Sequence, residues 1–459
     1  MNFRTQHVVP APREEVWDWH TRPGALARLT PPFLPMSPLQ QASNLADGTN
    51  ILGLPAGLRW VARHDLSRYR RGYSFSDVCI NAPLRTLATW RHTRTFADAP
   101  SGSPGQQATS ITDTVTTRLP RAALRSIFAY RQHQLINDLA FLHRLQPLVE
   151  PVLADTPTTV AVTGSRGAVG RALCAQLTTA GVKVVQLVRN QPKPGQRHWN
   201  PLHPAPDLLE GIGKVVHLAG EPIFGRFNEA HKQALRSSRI GPTRALAELA
   251  ARTPGVETFV SASAIGYYGP NRGSEVLTET SEPGEGFLAE LVTDWEAATT
   301  AARDAGLRVA TIRTGVALAG NAGLLPIVRT LFQTGLGGTF GSGEFWFSWI
   351  AQDDLTDIYM RALFDSSLSG PLNAVAPEPV LNRNMAHALA RELNRPALLP
   401  IPTLGPALLL GKEGASELAL ADQRVTSTLL GDHTFRYPTI DAALAHELGG
   451  EALVEQLPD

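Results

Sequence analysis

The segment spanning residues 159–190, TVAVTGSRGAVGRALCAQLTTAGVKVVQLVRN, can fold in few ways. It opens with a short apolar, β-branched run, residues 159–163, which reads as a buried strand. Three glycines follow at a spacing of three: Gly164, Gly167 and Gly170. An amphipathic run then sets Val169, Leu173 and Leu177 on one helical face, and Gly181 stops it. Residues 182–188 read as a second strand, which completes one β-α-β unit with a glycine-rich first turn. Each glycine has its own physical task. Without a Cβ, Gly164 can take a tight turn, Gly167 admits a pyrophosphate to the backbone, and Gly170 lets the helix approach the strand. The helix N-terminus then offers free N–H groups and positive partial charge to phosphates. Strand, loop, helix and strand in this order make the triplet a dinucleotide-site expectation. The alternative is a turn kept for tight packing alone. The expected contact set is Gly164, Ser165, Arg166, Gly167, Ala168, Val169 and Gly170.

The identity of the dinucleotide also has a signal. An NAD site usually carries an acidic residue at the end of the second strand, for the ribose hydroxyls. Here that strand ends Leu187-Val188-Arg189-Asn190, with no carboxylate. Arg166 lies in the glycine loop itself. Two guanidinium forks, Arg166 and Arg189, suit a 2′-phosphate, so NADP(H) is expected and NAD stays possible. Two solvated surface arginines are the alternative.

At 459 residues the chain exceeds one ordinary core, and two or more domains are expected. A net charge of +1 gives no electrostatic footprint for nucleic acid. Two cysteines, Cys79 and Cys174, make no disulfide framework, and no Cys/His cluster with metal-ligand spacing is present. No apolar run reaches transmembrane length and the N-terminus lacks a signal-peptide core, so no membrane association and a cytoplasmic location are expected.

Ahead of the β-α-β unit the pattern changes. Residues 2–9 alternate as a strand, and residues 13–20 read as a short helix started by Pro12, with Val16 and Trp17 inward. Strand-like segments follow around residues 57–64, 68–78, 86–96 and 109–119. Residues 120–145 carry Leu124, Ile127, Phe128, Leu135, Leu139 and Leu142 at helical spacing, an amphipathic helix of about seven turns. This order predicts an α+β domain over residues 1–146. It resembles the START-like (helix-grip, SRPBCC, polyketide-cyclase-like) domains, and the entry Ala11-Pro12-Arg13-Glu14-Glu15-Val16-Trp17 is similar to theirs. That resemblance implies a curved sheet closed by the long helix over an apolar cavity for a hydrophobic ligand. Trp17, Trp60, Tyr73, Phe75, Trp90 and Phe128 are the candidates to line it, or else simply to fill the core. Residues 147–158 are proline-punctuated and aperiodic, and read as a linker.

Beyond it, KVVHLAG, residues 214–220, reads as another buried strand, with Leu218, Ala219 and Gly220 at its end. The runs HLAGEPI (217–223), SASAIGYYG (261–269), FLAE (287–290), RTG (313–315) and NAVAP (373–377) carry a resemblance to the extended short-chain dehydrogenase/reductase families. They are similar in particular to an epimerase-family, cell-division-inhibitor-like branch. The resemblance covers residues 160 to about 443. It implies a doubly wound Rossmann domain over residues 159–376 and a small substrate-side subdomain over residues 377–459. It also implies that Leu218, Ala219 and Gly220 lie beside the adenine and ribose.

Families of this kind use a Ser or Thr with Tyr and Lys in Y-x-x-x-K. The tyrosine exchanges a proton with a substrate hydroxyl, and the cation favours phenolate. Ser263 matches the serine best, with Ser261 second. At the tyrosine helix, Phe287 and Leu291 stand where Tyr and Lys are expected. Tyr267 and Tyr268 are the nearest substitutes in sequence, with core packing as the alternative. Glu290 is a further acid/base candidate or a solvated helix residue. The expected catalytic set is therefore Ser263, Tyr267 and Tyr268, with no metal. Three readings stay open: an NADP(H)-binding oxidoreductase or epimerase-like enzyme with an unknown small-molecule substrate, a nucleotide sensor without turnover, and a hydrophobic-ligand carrier.

Overall fold

A computed structural model describes residues 2–100, 107–148, 158–397, 400–402 and 404–454. The expected linker falls almost wholly outside the described residues. The chain divides into two compact units. One comprises Met1–Gln146, Ala175–Gly181 and Ala445–Asp459, the other Pro147–Cys174 and Val182–Leu444.

The first unit runs β1 (Asn2–Val9), α1 (Arg13–Thr21), α2 (Ala25–Arg28), β2 (Ser37–Gln40), β3 (Thr49–Gly53), β4 (Arg59–His64) and β5 (Ser74–Cys79). It continues through α3 (Leu84–Ala88), β6 (Arg91–Ala99), β7 (Ala108–Thr116) and the long α4 (Arg121–Leu145). The strands form one sheet of order β1-β7-β6-β5-β4-β3-β2, antiparallel at every pairing. Alternation decides its inner face: Phe96 on β6 and Ile111 and Val115 on β7 point into the core, where Leu135 and Leu139 of α4 join them and Val16 and Trp17 of α1. The segment at residues 86–90 is not strand. Residues 84–88 form α3, and its end leaves Thr89 in a left-handed conformation.

Of the aromatic residues expected around a cavity, Trp17, Phe75 and Phe128 are buried and pack edge-on against other rings, Phe128 against His92. Tyr73 corrects the expectation. It is 40% exposed and lies under the guanidinium groups of Arg13 and Arg70, 4.0 and 4.2 Å from its ring centre. The same inner face carries charge. His92 and Arg94 alternate with Phe96 on β6, and Asp113 sits between Ile111 and Val115 on β7, all buried. On α4 the buried Asp138 takes a two-pronged bond from Arg28, Nε to Oδ2 at 2.9 Å and Nη2 to Oδ1 at 2.5 Å.

The second unit opens with β8 (Thr159–Thr163), α5 (Ala168–Thr179, whose residues from Ala175 on count with the first unit), β9 (Lys183–Val188), β10 (Gln196–His198), β11 (Lys214–His217) and α6 (Glu229–Arg252). Next come β12 (Thr258–Ala264), β13 (Asn271–Leu277), α7 (Phe287–Ala297), α8 (Thr300–Asp304), β14 (Arg308–Thr314), β15 (Val316–Leu318) and α9 (Leu324–Gln333). It continues with β16 (Trp346–Phe347), β17 (Trp349–Ala351), α10 (Gln352–Phe364), β18 (Gly370–Ala374), β19 (Val380–Leu381) and α11 (Asn382–Leu393), then α12 (Leu404–Gly414) and β20 (Asp422–Val425). α13 (Ile440–Leu448) crosses the boundary between the units. Seven strands form a parallel sheet of order β10-β9-β8-β11-β12-β14-β18. β8, fully buried, is its hinge of topology: the chain winds outward to β9 and β10 on one side and to β11 onward on the other. In open sheets of this kind ligands bind outside the carboxyl ends of the strands, where the winding reverses. No helix among the described residues is long and apolar enough to cross a membrane.

Candidate functional site

The reversal lies between β8 and β11, and the chain leaving each strand meets the other there. Gly164 has φ +66°, a left-handed turn that favours glycine. A Cβ on it would sit 2.7 Å from the Leu218 carbonyl carbon and 2.9 Å from the Ala219 nitrogen. The Thr163 Oγ1 fixes this meeting by accepting bonds from the Leu218 and Ala219 N–H groups, at 3.0 and 3.2 Å. With its lone pairs taken, its proton goes to His217 Nδ1 at 2.8 Å. His217 is fully buried, and burial with the nearby Arg239 charge lowers its pKa to about 4, so the ring is neutral.

The glycine loop divides as its chemistry requires. Gly167 N–H closes the turn onto the Gly164 carbonyl at 2.9 Å. A Cβ on Gly170 would lie 2.3 Å from that same carbonyl oxygen, so Gly170 allows α5 to begin so close to the loop. A Cβ on Gly167 would come no nearer than 3.3 Å to protein, which leaves its outer face open. Ser165 is buried, and its hydroxyl has no partner among the described residues. Beside it the first N–H groups of α5, from Ala168, Val169 and Gly170, begin a helix and have no carbonyl one turn back. A buried unpaired hydroxyl, a Cβ-free wall and a helix N-terminus fit the pyrophosphate of a dinucleotide.

Arg166 is exposed on the loop, and Arg189 is exposed one residue past β9. Since Thr163 pairs with Leu187, both arginines leave the sheet at the same edge. Neither makes an ion pair among the described residues. On the other flank, sequence reasoning missed Arg239. Its guanidinium lies 3.2 Å from where a Gly220 Cβ would be, donates to the Glu221 carbonyl at 2.9 Å and covers the Trp295 ring. Burial lowers its pKa to about 10. A glycine whose missing side chain is replaced by an arginine head is the trace such a residue leaves in sequence.

Of the expected catalytic residues, Ser263 lies on β12, and Tyr267 and Tyr268 lie in the 3-10 turn Ile265–Tyr268 that follows it. Ser263, Arg313 and Asn373 are successive partners across β12, β14 and β18. Ser263 Oγ donates to Glu296 Oε1 at 2.5 Å, and Glu296 is held by Arg313 through Nε and Nη2, both at 2.9 Å. Arg313 also stacks on Tyr267, 3.5 Å from its ring centre. Ser263 and Tyr267 thus meet around one part-buried ion pair, which the sequence reading did not include. Ser261 bonds to the neighbouring Ala262 carbonyl instead.

Tyr268 departs from its expected role. It is fully buried, and its hydroxyl lies 2.8 Å from the Thr278 carbonyl and 2.7 Å from Asn373 Oδ1 while accepting from Arg313 at 3.1 Å. Burial raises its pKa. A phenol so enclosed ties strands together and offers no proton to a ligand. Phe287 and Leu291 are packed as apolar residues: Leu291 is buried, and the Phe287 ring meets Phe227 edge-on with Lys232 and Arg236 above it. Glu290 is exposed and paired with Arg236 at 2.9 Å, a solvated helix residue. The N-terminus of α7 is capped from afar, Glu417 accepting from the Phe287 and Leu288 N–H groups at 2.8 and 2.7 Å.

Comparison with known proteins agrees with this architecture. Residues 160–371 match the family described as NAD dependent epimerase/dehydratase, and residues 401–447 match a domain of unknown function. An epimerase family protein of Mycobacterium bovis is 40% identical over 293 residues, covering 62% of this chain and 96% of that protein. A crystal structure described as a nucleoside-diphosphate sugar epimerase from Corynebacterium glutamicum is 55% identical with a TM-score of 0.87, over 99% of this chain and 91% of that one. The human epimerase family protein SDR39U1, solved with NADPH, is 32% identical with a TM-score of 0.58, over 63% of this chain and 99% of that one. The parallel sheet, its switch-point loop and these relatives place the chain in the NAD dependent epimerase/dehydratase family.

Proposed function

We propose that the second unit is an NADP(H)-dependent oxidoreductase or epimerase-type enzyme acting on a small-molecule substrate. The observation that carries the cofactor reading is the buried, unpaired Ser165 hydroxyl inside a loop whose outer wall lacks Cβ atoms. Arg166 and Arg189, free of carboxylate partners among the described residues and leaving one sheet edge, favour NADP(H) over NAD. The NADPH in the human relative supports the same choice. When bound, the dinucleotide supplies hydride chemistry. Ser263 commits its proton to Glu296 and keeps oxygen lone pairs for a substrate hydroxyl, and Tyr267, stacked on Arg313, is the remaining phenolic acid of the expected set. The description of the Corynebacterium relative makes nucleoside-diphosphate sugars the first substrates to screen.

Calorimetry on the intact chain tests the cofactor. NADPH is expected to bind more tightly than NADH by about tenfold or more, and replacing Arg166 and Arg189 with alanine narrows the gap. Equal affinities in the unmodified chain remove the NADP(H) assignment. A second reading, a nucleotide sensor without turnover, is favoured by the apolar packing of Phe287 and Leu291. Tight NADPH binding with no absorbance change across the substrate panel would favour it. For residues 1–146 we propose a START-like ligand-binding domain, supported by the single antiparallel sheet and its long closing helix.

A further inference from the structure

The first unit holds a partly open cavity of ≈ 100 Å³, on the order of seven to ten water-sized positions. Its wall is not the apolar one expected of a hydrophobic-ligand site. Leu26, Leu29, Leu45 and Phe75 line part of it, and His20, His64, Asp77, His92, Arg94 and Arg131 line the rest.

Nearly all the polar demand of that wall is met from within the protein. His92 lies between Asp77, 3.1 Å from Nδ1, and Asp113, 2.7 Å from Nε2. A ring with a carboxylate at each nitrogen is an imidazolium, and those carboxylates raise its pKa against burial. Asp113 also accepts Arg94 Nε at 2.7 Å and Nη2 at 3.2 Å. The remaining Arg94 Nη1 donates to His20 Nε2 at 2.7 Å, and His20 Nδ1 donates to the Val16 carbonyl. Gln41, also in the lining, spends its amide on the backbone of Gly24, Leu26 and Arg22, while Asn50 accepts from the Ala42 N–H and sets its side-chain nitrogen 3.4 Å from His64 Nε2.

Two groups of the lining are exceptions: His64, whose buried Nδ1 has no partner among the described residues, and Arg131, the one that carries a charge. The Arg131 Nε donates to the Leu29 carbonyl at 3.1 Å, its guanidinium lies over the Phe128 ring at 5.3 Å, and its two terminal nitrogens have no hydrogen-bond partner among the described residues. The two buried carboxylates, Asp77 and Asp113, are already matched by His92 and Arg94. The cavity wall therefore holds one guanidinium charge in excess, desolvated enough that its pKa falls to about 10. A half-buried guanidinium with no carboxylate partner among the described residues gains from an anion that answers it.

We propose that this cavity binds a small organic monocarboxylate, its carboxylate on the Arg131 fork and its apolar body against Leu26, Leu29, Leu45 and Phe75. One excess charge matches a monoanion, and the planar fork of Nη donors matches a carboxylate in two-pronged geometry. The leucine-lined remainder disfavours inorganic phosphate, which has no apolar part. This deepens the ligand-binding reading of residues 1–146 and is independent of the cofactor reading of the second unit.

Calorimetry of the full chain with benzoate, its neutral isostere benzamide and inorganic phosphate separates the possibilities. Benzoate is expected to bind at least about tenfold tighter than benzamide, which corresponds to ~1.4 kcal/mol, and phosphate weakly. Arg131→Met should reduce that preference to about twofold without changing the affinity for NADPH. The benzoate–benzamide comparison on the unmodified chain stands even if the variant folds poorly. Equal binding of benzoate and benzamide keeps a ligand-binding domain and overturns the carboxylate assignment, as does phosphate binding as tightly as benzoate. No binding of either benzoate or benzamide at millimolar concentration overturns the proposal and the ligand-binding reading together.

Discussion

Single residues in the glycine loop have separable duties, and substitution reads them apart. Gly170 faces the Gly164 carbonyl so closely that an added methyl has nowhere to go. Gly170→Ala should therefore destabilise the second unit by about 1–3 kcal/mol, seen as a lower unfolding midpoint. At Gly167 the protein is more distant and no left-handed backbone is required. Gly167→Val should leave the midpoint near that of the unmodified chain while abolishing dinucleotide binding, because the branched side chain occupies the open face of the loop. A folded Gly167→Val protein that binds NADPH normally would reduce the loop to a turn. At Ser263, replacement by alanine frees Glu296 of one donor but leaves its pair with Arg313 intact. Turnover on an identified substrate should fall by about 10²-fold or more with NADPH affinity unchanged.

At the scale of the element, α7 shows why a Y-x-x-x-K pair is not simply missing. Its buried Leu288 and Leu291 pack into an apolar cluster with Phe227 and Leu235. Restoring the lysine by Leu291→Lys would place a charge in that cluster with no carboxylate prepared for it. A loss of roughly 3 kcal/mol or more is expected in denaturant unfolding. Phe287→Tyr alone, with its ring already half-buried under Lys232 and Arg236, should restore little activity. The cap on the same helix comes from Glu417, far along the chain, in place of a local Ser or Asp. Glu417→Ala leaves two N–H groups without acceptors, one of them on the buried Leu288. About 1–3 kcal/mol and faster amide exchange in the first turn of α7 should follow.

For the molecule as a whole, buried histidines set the response to acid. In the first unit burial lowers the pKa of His7 to about 4 and that of His20 to about 3, against a usual value near 6.5. Between these values the unfolded chain takes up protons that the folded unit refuses, so stability falls as pH drops below 6.5. The two rings together should cost about 3 kcal/mol by about pH 5.5. His92 acts in the opposite sense: its raised pKa adds stability that is complete below about 6.5 and is lost as pH rises through the folded value. Scanning calorimetry between pH 7.5 and 5.5 should show the transition of the first unit moving down. An unchanged midpoint would mean that His7 and His20 protonate within the fold.

Local signals carried much of the architecture. Residues 159–163 are continuously apolar and β-branched, as a strand buried on both faces must be, and Gly164, Gly167 and Gly170 announce the turn that follows. The spacing from Leu124 to Leu142 likewise marks α4, because a helix repeats its buried face every three to four residues wherever it lies. The short strands β2 and β3 escaped notice, since β2 is exposed along its whole length and has no buried face to show. Partnership between distant residues was hidden for a different reason. Tyr268 reads as an available acid until Thr278, Asn373 and Arg313 close around its hydroxyl, and Ser263 reads as a lone hydroxyl until Glu296 arrives from α7. His92, Arg94 and Asp113 sit at inward positions of alternating strands, a visible anomaly whose meaning is a pairing across the sheet. Alternation, periodicity and glycine placement are written in each segment itself, and so the sequence determined most of the strands, the long helices and the glycine turn. Burial and charge compensation depend on groups brought from tens to hundreds of residues away, and so the tertiary structure alone decided which polar groups are answered and that Arg131 is not.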